Sequence, residues 1–313
     1  MDDQYVGNVS DFIIQGFSDM GRLQFPICIT LLMVYLVILM GNATVLLVIL
    51  LDSHLHTPMY IFLLNLSFLD ISLTSNIIPN LINSLIREHR NISFKGCMVQ
   101  MYSFLVLTCT EFVLLTVMAY DRYIAICFPL KYVFQMSRKV CILFLCEVWI
   151  YGFLNPTAYL VLISKLSFCK SNTIDHIFCD LSALLKLSCT DTTTVEILNY
   201  LEGSVVTFNT FTLTVTSYIF IISAILKIKS LEGRHKAFST CASHLTCVVI
   251  SYLTIISLYM RPTSTYSPKQ DKFFALLYIM LIPLLNPIIY TLKNKEFHAA
   301  LKRLIHFDGF FHF

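Results

Sequence analysis

The sequence predicts an all-α membrane protein, a seven-transmembrane helix bundle followed by a short C-terminal interfacial helix. Three observations carry this. Of 313 residues, 57% are hydrophobic and only 13% are charged, whereas a soluble domain carries roughly 25% charged residues; too little polar surface exists to coat a water-soluble globule. The apolar residues come in long runs, not in the amphipathic stripes of a soluble core. Seven of these runs reach the length of about 20 residues that crosses a hydrocarbon core.

Taken in order, residues 1–24 form a polar tail. It lacks the basic start and short apolar core of a cleavable signal peptide, so the first span is expected to insert the chain. The transmembrane domain, 25–292, contains spans at Phe25–Leu51, Pro58–Ile82, Cys97–Ile126, Val140–Ile163, Ile197–Ile228, Ala237–Met260 and Phe273–Leu292. Residues 293–313 are a cytoplasmic tail in which Phe297, Leu301, Leu304 and Ile305 share one face. Lys295, Lys302 and Arg303 there are available for lipid headgroups, as in an amphipathic interfacial helix.

Connections between spans are short except for Ser164 to Glu196. Cys97, Cys169, Cys179 and Cys189 fall in predicted loops, which suggests an oxidising, extracellular face. They permit three connectivities. The other seven cysteines lie in or beside apolar segments and read as small buried hydrophobes. The Lys and Arg bias of short loops is modest, but Asn8-Val9-Ser10 is an N-glycosylation acceptor in a polar tail and puts the N-terminus outside. Asn91-Ile92-Ser93 is a weaker acceptor close to the bilayer.

Several function classes fall away. Net charge is only +3 and the basic residues are scattered, so no nucleic-acid partner is expected. A transporter would need a polar path or broken helices related by an internal repeat, and neither is visible. No HExxH pattern or nucleophile–base pair argues for an enzyme; His244 reads as a structural or switching residue.

Within the spans, Asn42, Asp70 and Glu111 are expensive unless paired or solvated. With Asn286 they read either as a site where two carboxylates share a sodium ion or a proton, or as a structural polar knot without an ion. Asp121-Arg122-Tyr123 ends the third span, and apolar sequence continues past it; a half-buried ion pair that can break is a two-state element. Pro283 and Pro287 sit inside the seventh span, where each removes a backbone hydrogen bond and permits a kink, and Asn286-Pro287 is followed closely by Tyr290.

These last two segments resemble the DRY and NPxxY motifs of rhodopsin-like G-protein-coupled receptors. More restricted blocks narrow the match: Leu55-His56-Thr57-Pro58-Met59-Tyr60, Met118 to Cys127, Ser217-Tyr218, Lys236 to Leu245, and Pro283 to Tyr290. Together they resemble the odorant (olfactory) receptor family of the tetrapod type, from Gly41 to the C-terminal tail. The chain departs from that pattern at Ser251-Tyr252-Leu253, where the family commonly has an aromatic residue, Tyr and Gly.

The resemblance implies that Asp121, Arg122, Tyr123, Tyr218 and Tyr290, with Asn286 and Pro287, rearrange on activation to admit a G protein. Lys236 and His244 would lie at the mobile base of the sixth helix. It implies a stimulatory G protein of the olfactory type that raises cyclic AMP, a small-molecule odorant, membrane lipids as surroundings and the plasma membrane as location. No cofactor is expected beyond a modulating sodium ion. It also implies disulfides Cys97–Cys179 and Cys169–Cys189, with Cys97–Cys189 as an open alternative. The same fold sensing a non-odorant metabolite in another tissue remains the second reading.

For the ligand, helical spacing puts Met101, Phe104, Leu105, Thr108 and Cys109 near one face of the third span's outer half. Glu202, Val206 and Asn209 are candidates from the fifth span, Tyr252, Ile255, Ile256 and Tyr259 from the sixth, and Leu276 and Ile279 from the seventh. Such a lining suits a small, volatile, weakly polar molecule. The third span has no acid in its outer half to anchor an ammonium group, and Glu202 reads either as a counter-ion for a cation or as a group facing loop and water.

Overall fold

In a bilayer the backbone must satisfy its own hydrogen bonds, so long apolar runs become long helices. The computed structural model describes residues 11–86, 91–169, 171–259, 267–291 and 294–308. Helix α1 (Gln24–Leu51) is followed by α2 (Pro58–Ile86), α3 (Phe94–Cys127) and the short α4 (Pro129–Gln135). The fourth span is split into α5 (Arg138–Leu154) and α6 (Thr157–Ile163), and α7 (Leu181–Leu187) lies in the long connection. Then come α8 (Thr193–Leu226), α9 (Leu231–Tyr259), α10 (Pro268–Leu276), α11 (Ile282–Thr291) and α12 (Lys295–Asp308).

Among the described residues, six helical stretches are long and apolar enough to cross a membrane, and α9 contributes a shorter apolar stretch, His244–Leu258. The first turns of α9 hold Glu232, Arg234 and His235, so this helix extends beyond its apolar part and starts six residues before the expected Ala237. Other edges shift by a few residues, as helix ends do. Two spans are interrupted for reasons of local chemistry. Pro156 has no N–H to continue α5, and the Phe153 carbonyl beside the break accepts from the hydroxyls of Tyr102 (3.0 Å) and Thr157 (2.8 Å). In the seventh span a π-helical segment, Leu277–Leu281, separates α10 from α11.

α3 is the axis of the bundle. It packs on α2, α5 and α8, and its Ser93 cap accepts from the Gly96 amide at 3.1 Å, satisfying a donor that the first turn leaves free. Gly152 lets α5 approach closely: a Cβ there would collide with Thr110 Oγ1 and come within 3.3 Å of the Val106 carbonyl.

One end of the bundle carries a lid. Strand β1 (Asp11–Ile14) pairs antiparallel with β2 (Asn91–Ser93) and parallel with β3 (Thr173–Ile174). Phe12 points inward, fully buried, with its ring edge-on to Phe168 at 5.5 Å. Disulfides Cys97–Cys179 and Cys169–Cys189 tie the long connection to α3 and to itself. Lys272 of α10 closes the arrangement, donating to the Gly16 carbonyl at 2.7 Å and pairing with Asp175 at 2.6 Å.

At the other end α12 folds back beneath α1 and α2. Phe297 and Ala300 are buried, while Ile305 is exposed. Arg303, expected at lipid headgroups, is turned instead toward the first connection, where it holds the Asp52 carboxylate at 2.6 Å. Tyr60 donates to Asn294 Oδ1 at 2.9 Å, fixing the start of α12. The amphipathic pattern anticipated the burial of Phe297 and the partial burial of Leu301 and Leu304 but not the exposure of Ile305, and a carboxylate opposite Arg303 could not be read from it.

Candidate functional site

Three groups of residues lie along α3. Phe104 and Arg122 are separated by eighteen residues, or about 27 Å at roughly 1.5 Å per residue, so the helix connects the lid end to the opposite end.

Nearest the lid is a cavity of about 110 Å³ between α3, the α5–α6 break and α8, with Ile255 of α9 closing one side. Phe104, Leu105, Thr108 and Cys109 line it from α3, and Glu202 and Val206 from α8. The remaining sequence candidates are placed elsewhere. Met101 is buried with the lid residues, and Ile279 is fully buried in the seventh span with the partly buried Leu276 beside it. Tyr252 is buried between the rings of Phe112 (4.9 Å) and Phe211 (5.4 Å). Asn209 and Ile256 are exposed; the Asn209 amide donates to the Val205 carbonyl at 2.8 Å. The Tyr259 side chain lies outside the described residues. Spacing along one helix gives a face but not the distance to its neighbour, and that distance decides which face residues meet a void.

Sequence reasoning missed Phe112, Asn155, Tyr159, Asn199, Tyr200 and Thr207, which also line the cavity. Phe112 continues the four-residue row Phe104, Thr108, and one more turn of the same row reaches it. Tyr159 could not be found this way, because it reaches the cavity only through the break at Pro156.

The lid rests directly on this region. Phe178 contacts the Phe104 ring at 4.8 Å and is edge-on to His176, also at 4.8 Å. His176 is fully buried; burial holds its imidazole below the ordinary value, with Asp180 opposing and the Lys272 cation adding to the effect.

Midway along α3 is the polar knot. Asp70 accepts two contacts from the Asn286 amide at 3.1 and 3.0 Å, and Glu111 accepts from the Tyr278 hydroxyl at 2.6 Å. Asn42 sits apart from these acids: its amide donates to the Ile38 carbonyl at 3.1 Å and to the Pro283 carbonyl at 2.9 Å. Glu111 Oε1, Asn286 Oδ1 and Asn42 Oδ1 are buried without a hydrogen-bond partner among the described residues. No group of three or more His, Cys, Asp or Glu side chains is arranged for a metal ion among the described residues.

At the far end, Asp121 is buried and accepts from the Tyr132 hydroxyl at 3.0 Å, while its contact with Arg122 is longer, 3.8 Å. The adjacent pair is therefore loose, and Asp121 is held chiefly by α4. Tyr123 packs against Phe128 and Phe220. Tyr218 of α8 and His244 of α9 share a 2.6 Å hydrogen bond with their rings stacked, and Tyr290 of α11 lies 6.4 Å from the His244 ring. Pro287 packs where α1 has Gly41, 3.2 Å from an added Cβ. Lys236 lies in α9 with its side chain outside the described residues, as does the acceptor Asn8; Asn91 is exposed in β2.

A sequence profile described as Olfactory receptor matches residues 31–307. Olfactory receptor 5AR1 of Mus musculus is 43% identical over 305 residues, covering 97% of this chain and 98% of its own length. Olfactory receptor 5M11 of Homo sapiens is 42% identical over 297 residues, with 95% and 97% covered. Olfactory receptor-like protein COR5 of Gallus gallus is 43% identical over 294 residues, with 94% of each chain covered.

Proposed function

The chain belongs to the olfactory receptor family, and from that premise we propose that it binds a small odorant in the cavity beneath the lid and activates a stimulatory G protein of the olfactory type, raising cyclic AMP. Membership makes it a multi-pass seven-helix membrane receptor of the G-protein-coupled class, and not an enzyme.

The observation that carries the mechanism is the buried Tyr218–His244 hydrogen bond with Tyr290 beside it. It joins α8, α9 and α11 at the end of α3 opposite the cavity. A ligand shifts an equilibrium only by its differential affinity for two states, and such a cluster has an alternative arrangement in which Arg122 exchanges partners. Breaking the Tyr218–His244 contact frees the start of α9 to move, opening the bundle to the G protein. The loose Asp121–Arg122 contact leaves the guanidinium available for that exchange.

The tail before Gln24 and the disulfide-bearing lid then face the outside, with Asn8 glycosylated, and α12 lies on the cytoplasmic side among lipid headgroups. Asp70 and Glu111 accept from neutral donors, and two buried carboxylates without a cation are costly. A shared proton or a sodium ion held by Asp70, Glu111 and the free Asn286 oxygen would cancel one of the two charges; the unpartnered oxygens fit such a group. The ion would supply positive charge that holds α2, α3 and α11 together in the resting state.

The test is cyclic AMP accumulation in cells that display the chain at the surface with the olfactory G protein, across a mixed odorant panel. A ligand-dependent rise that disappears in Arg122→Ala, with display unchanged, is expected. Silence across the panel, or a response that survives Arg122→Ala, overturns the reading.

A further inference from the structure

We propose that the cavity is tuned to small protonated amines, with Glu202 as their counter-ion; this deepens the receptor reading above and rests on it. Glu202 is the only charged side chain among the described residues that line the cavity. It is partly buried on α8, beside the Tyr159 hydroxyl. A carboxylate offers acceptors only, so its complement in a ligand is a donor, and an ammonium donates while balancing the charge.

The walls point the same way. Phe104, Phe112, Tyr159 and Tyr200 line the same space, and the negative faces of aromatic rings attract a cation within about 6 Å, most strongly when it is partly desolvated. Nothing basic lines the cavity among the described residues, so a carboxylic acid would meet like charge without a partner. The volume, about 110 Å³, is below the roughly 150 Å³ of a cavity that takes benzene, which limits the ligand to a short alkyl or small cyclic amine. An all-apolar odorant would leave the carboxylate only the neutral Tyr159 hydroxyl and no opposite charge, a cost that an amine avoids.

The test compares a short primary alkylamine with the alcohol and the carboxylic acid of the same chain length, in the cyclic AMP assay, on the wild-type chain, Glu202→Gln and Glu202→Asp. The amine is expected to activate the wild type and the acid to fail. Glu202→Gln should raise the half-maximal amine concentration by more than about tenfold without a matching change for the alcohol, and Glu202→Asp should keep the preference. An amine response that survives Glu202→Gln, or one that falls together with the alcohol response at unchanged surface display, overturns the proposal. A wild-type chain that answers other odorants of the panel but no amine overturns it and leaves the receptor reading standing. Silence to every compound at confirmed surface display overturns both.

Discussion

The side-chain amide of Asn42 donates to the Pro283 carbonyl at 2.9 Å across 241 residues of sequence. Four residues after Pro283 stands Pro287, which has no N–H to give to that carbonyl. Asn42 therefore supplies, from α1, the donor that α11 lacks, and the carbonyl stays satisfied where it is buried. The bond joins the two spans beside the packing of Pro287 on Gly41.

Replacing Asn42 with Ala leaves the Pro283 carbonyl buried and unpaired, at a cost of about 1–3 kcal/mol. Thermal unfolding of the detergent-solubilised chain should show the loss. In a Pro287→Ala background the helix regains its own donor, so the added cost of Asn42→Ala should shrink. Equal costs in both backgrounds would show that the bond does not compensate for the proline.

The contact between Asp52 and Arg303 predicts acid sensitivity at the α12 end. Burial alone would raise the Asp52 carboxyl, but hydrogen bonds from Arg303 and His54 outweigh it and bring it down to about 2, below the usual value of about 3.9. The stabilisation is thus complete above about pH 4 and is lost as pH falls toward 2. Because Arg303 is half exposed, solvent limits the pair to about 1 kcal/mol. Protection of the α12 amides, relative to their intrinsic exchange at each pH, should fall over that window in the wild type and stay constant in Asp52→Asn.

Gly152→Ala should destabilise the packing of α5 on α3 by about 1–3 kcal/mol, since the new Cβ meets Thr110 Oγ1. Adding Thr110→Ala removes the colliding oxygen and should recover part of the loss in melting temperature. No recovery would place the strain at the Val106 carbonyl instead.

Lys272→Met should loosen the lid without unfolding the bundle. It removes charge-assisted bonds to Gly16 and Asp175 while keeping a similar volume. The amides of Ile13, Gln15 and Gly16, which bond to the long connection, should exchange more than about tenfold faster, with those of α2 unchanged. Unaltered exchange would show that the small sheet holds the tail unaided.

Much of the site was legible because its residues are unusual for where they stand. Asp70, Glu111 and the row Phe104–Thr108 announce themselves as polar or periodic exceptions inside apolar runs. Tyr159 does not, since nothing before Pro156 says how far the helix axis turns. Asn209 fits the same spacing as Val206 yet faces outward, because the void depends on where the neighbouring helices stand.

What the sequence determined by itself was the number of spans, their order and most of the inward face of α12, Ile305 excepted, because hydrocarbon solvent makes helices of apolar runs and because amphipathic spacing is a local property. Tertiary structure alone decided which oxygen each buried donor meets. Asn42 joins Pro283 and not Asp70 or Glu111, Arg303 joins Asp52 across 251 residues, and Glu202 lines the same cavity as its aromatic rings. Those pairings depend on distances between helices far apart in the chain, set by the packing of small residues such as Gly152 and by proline breaks, and no local pattern records them.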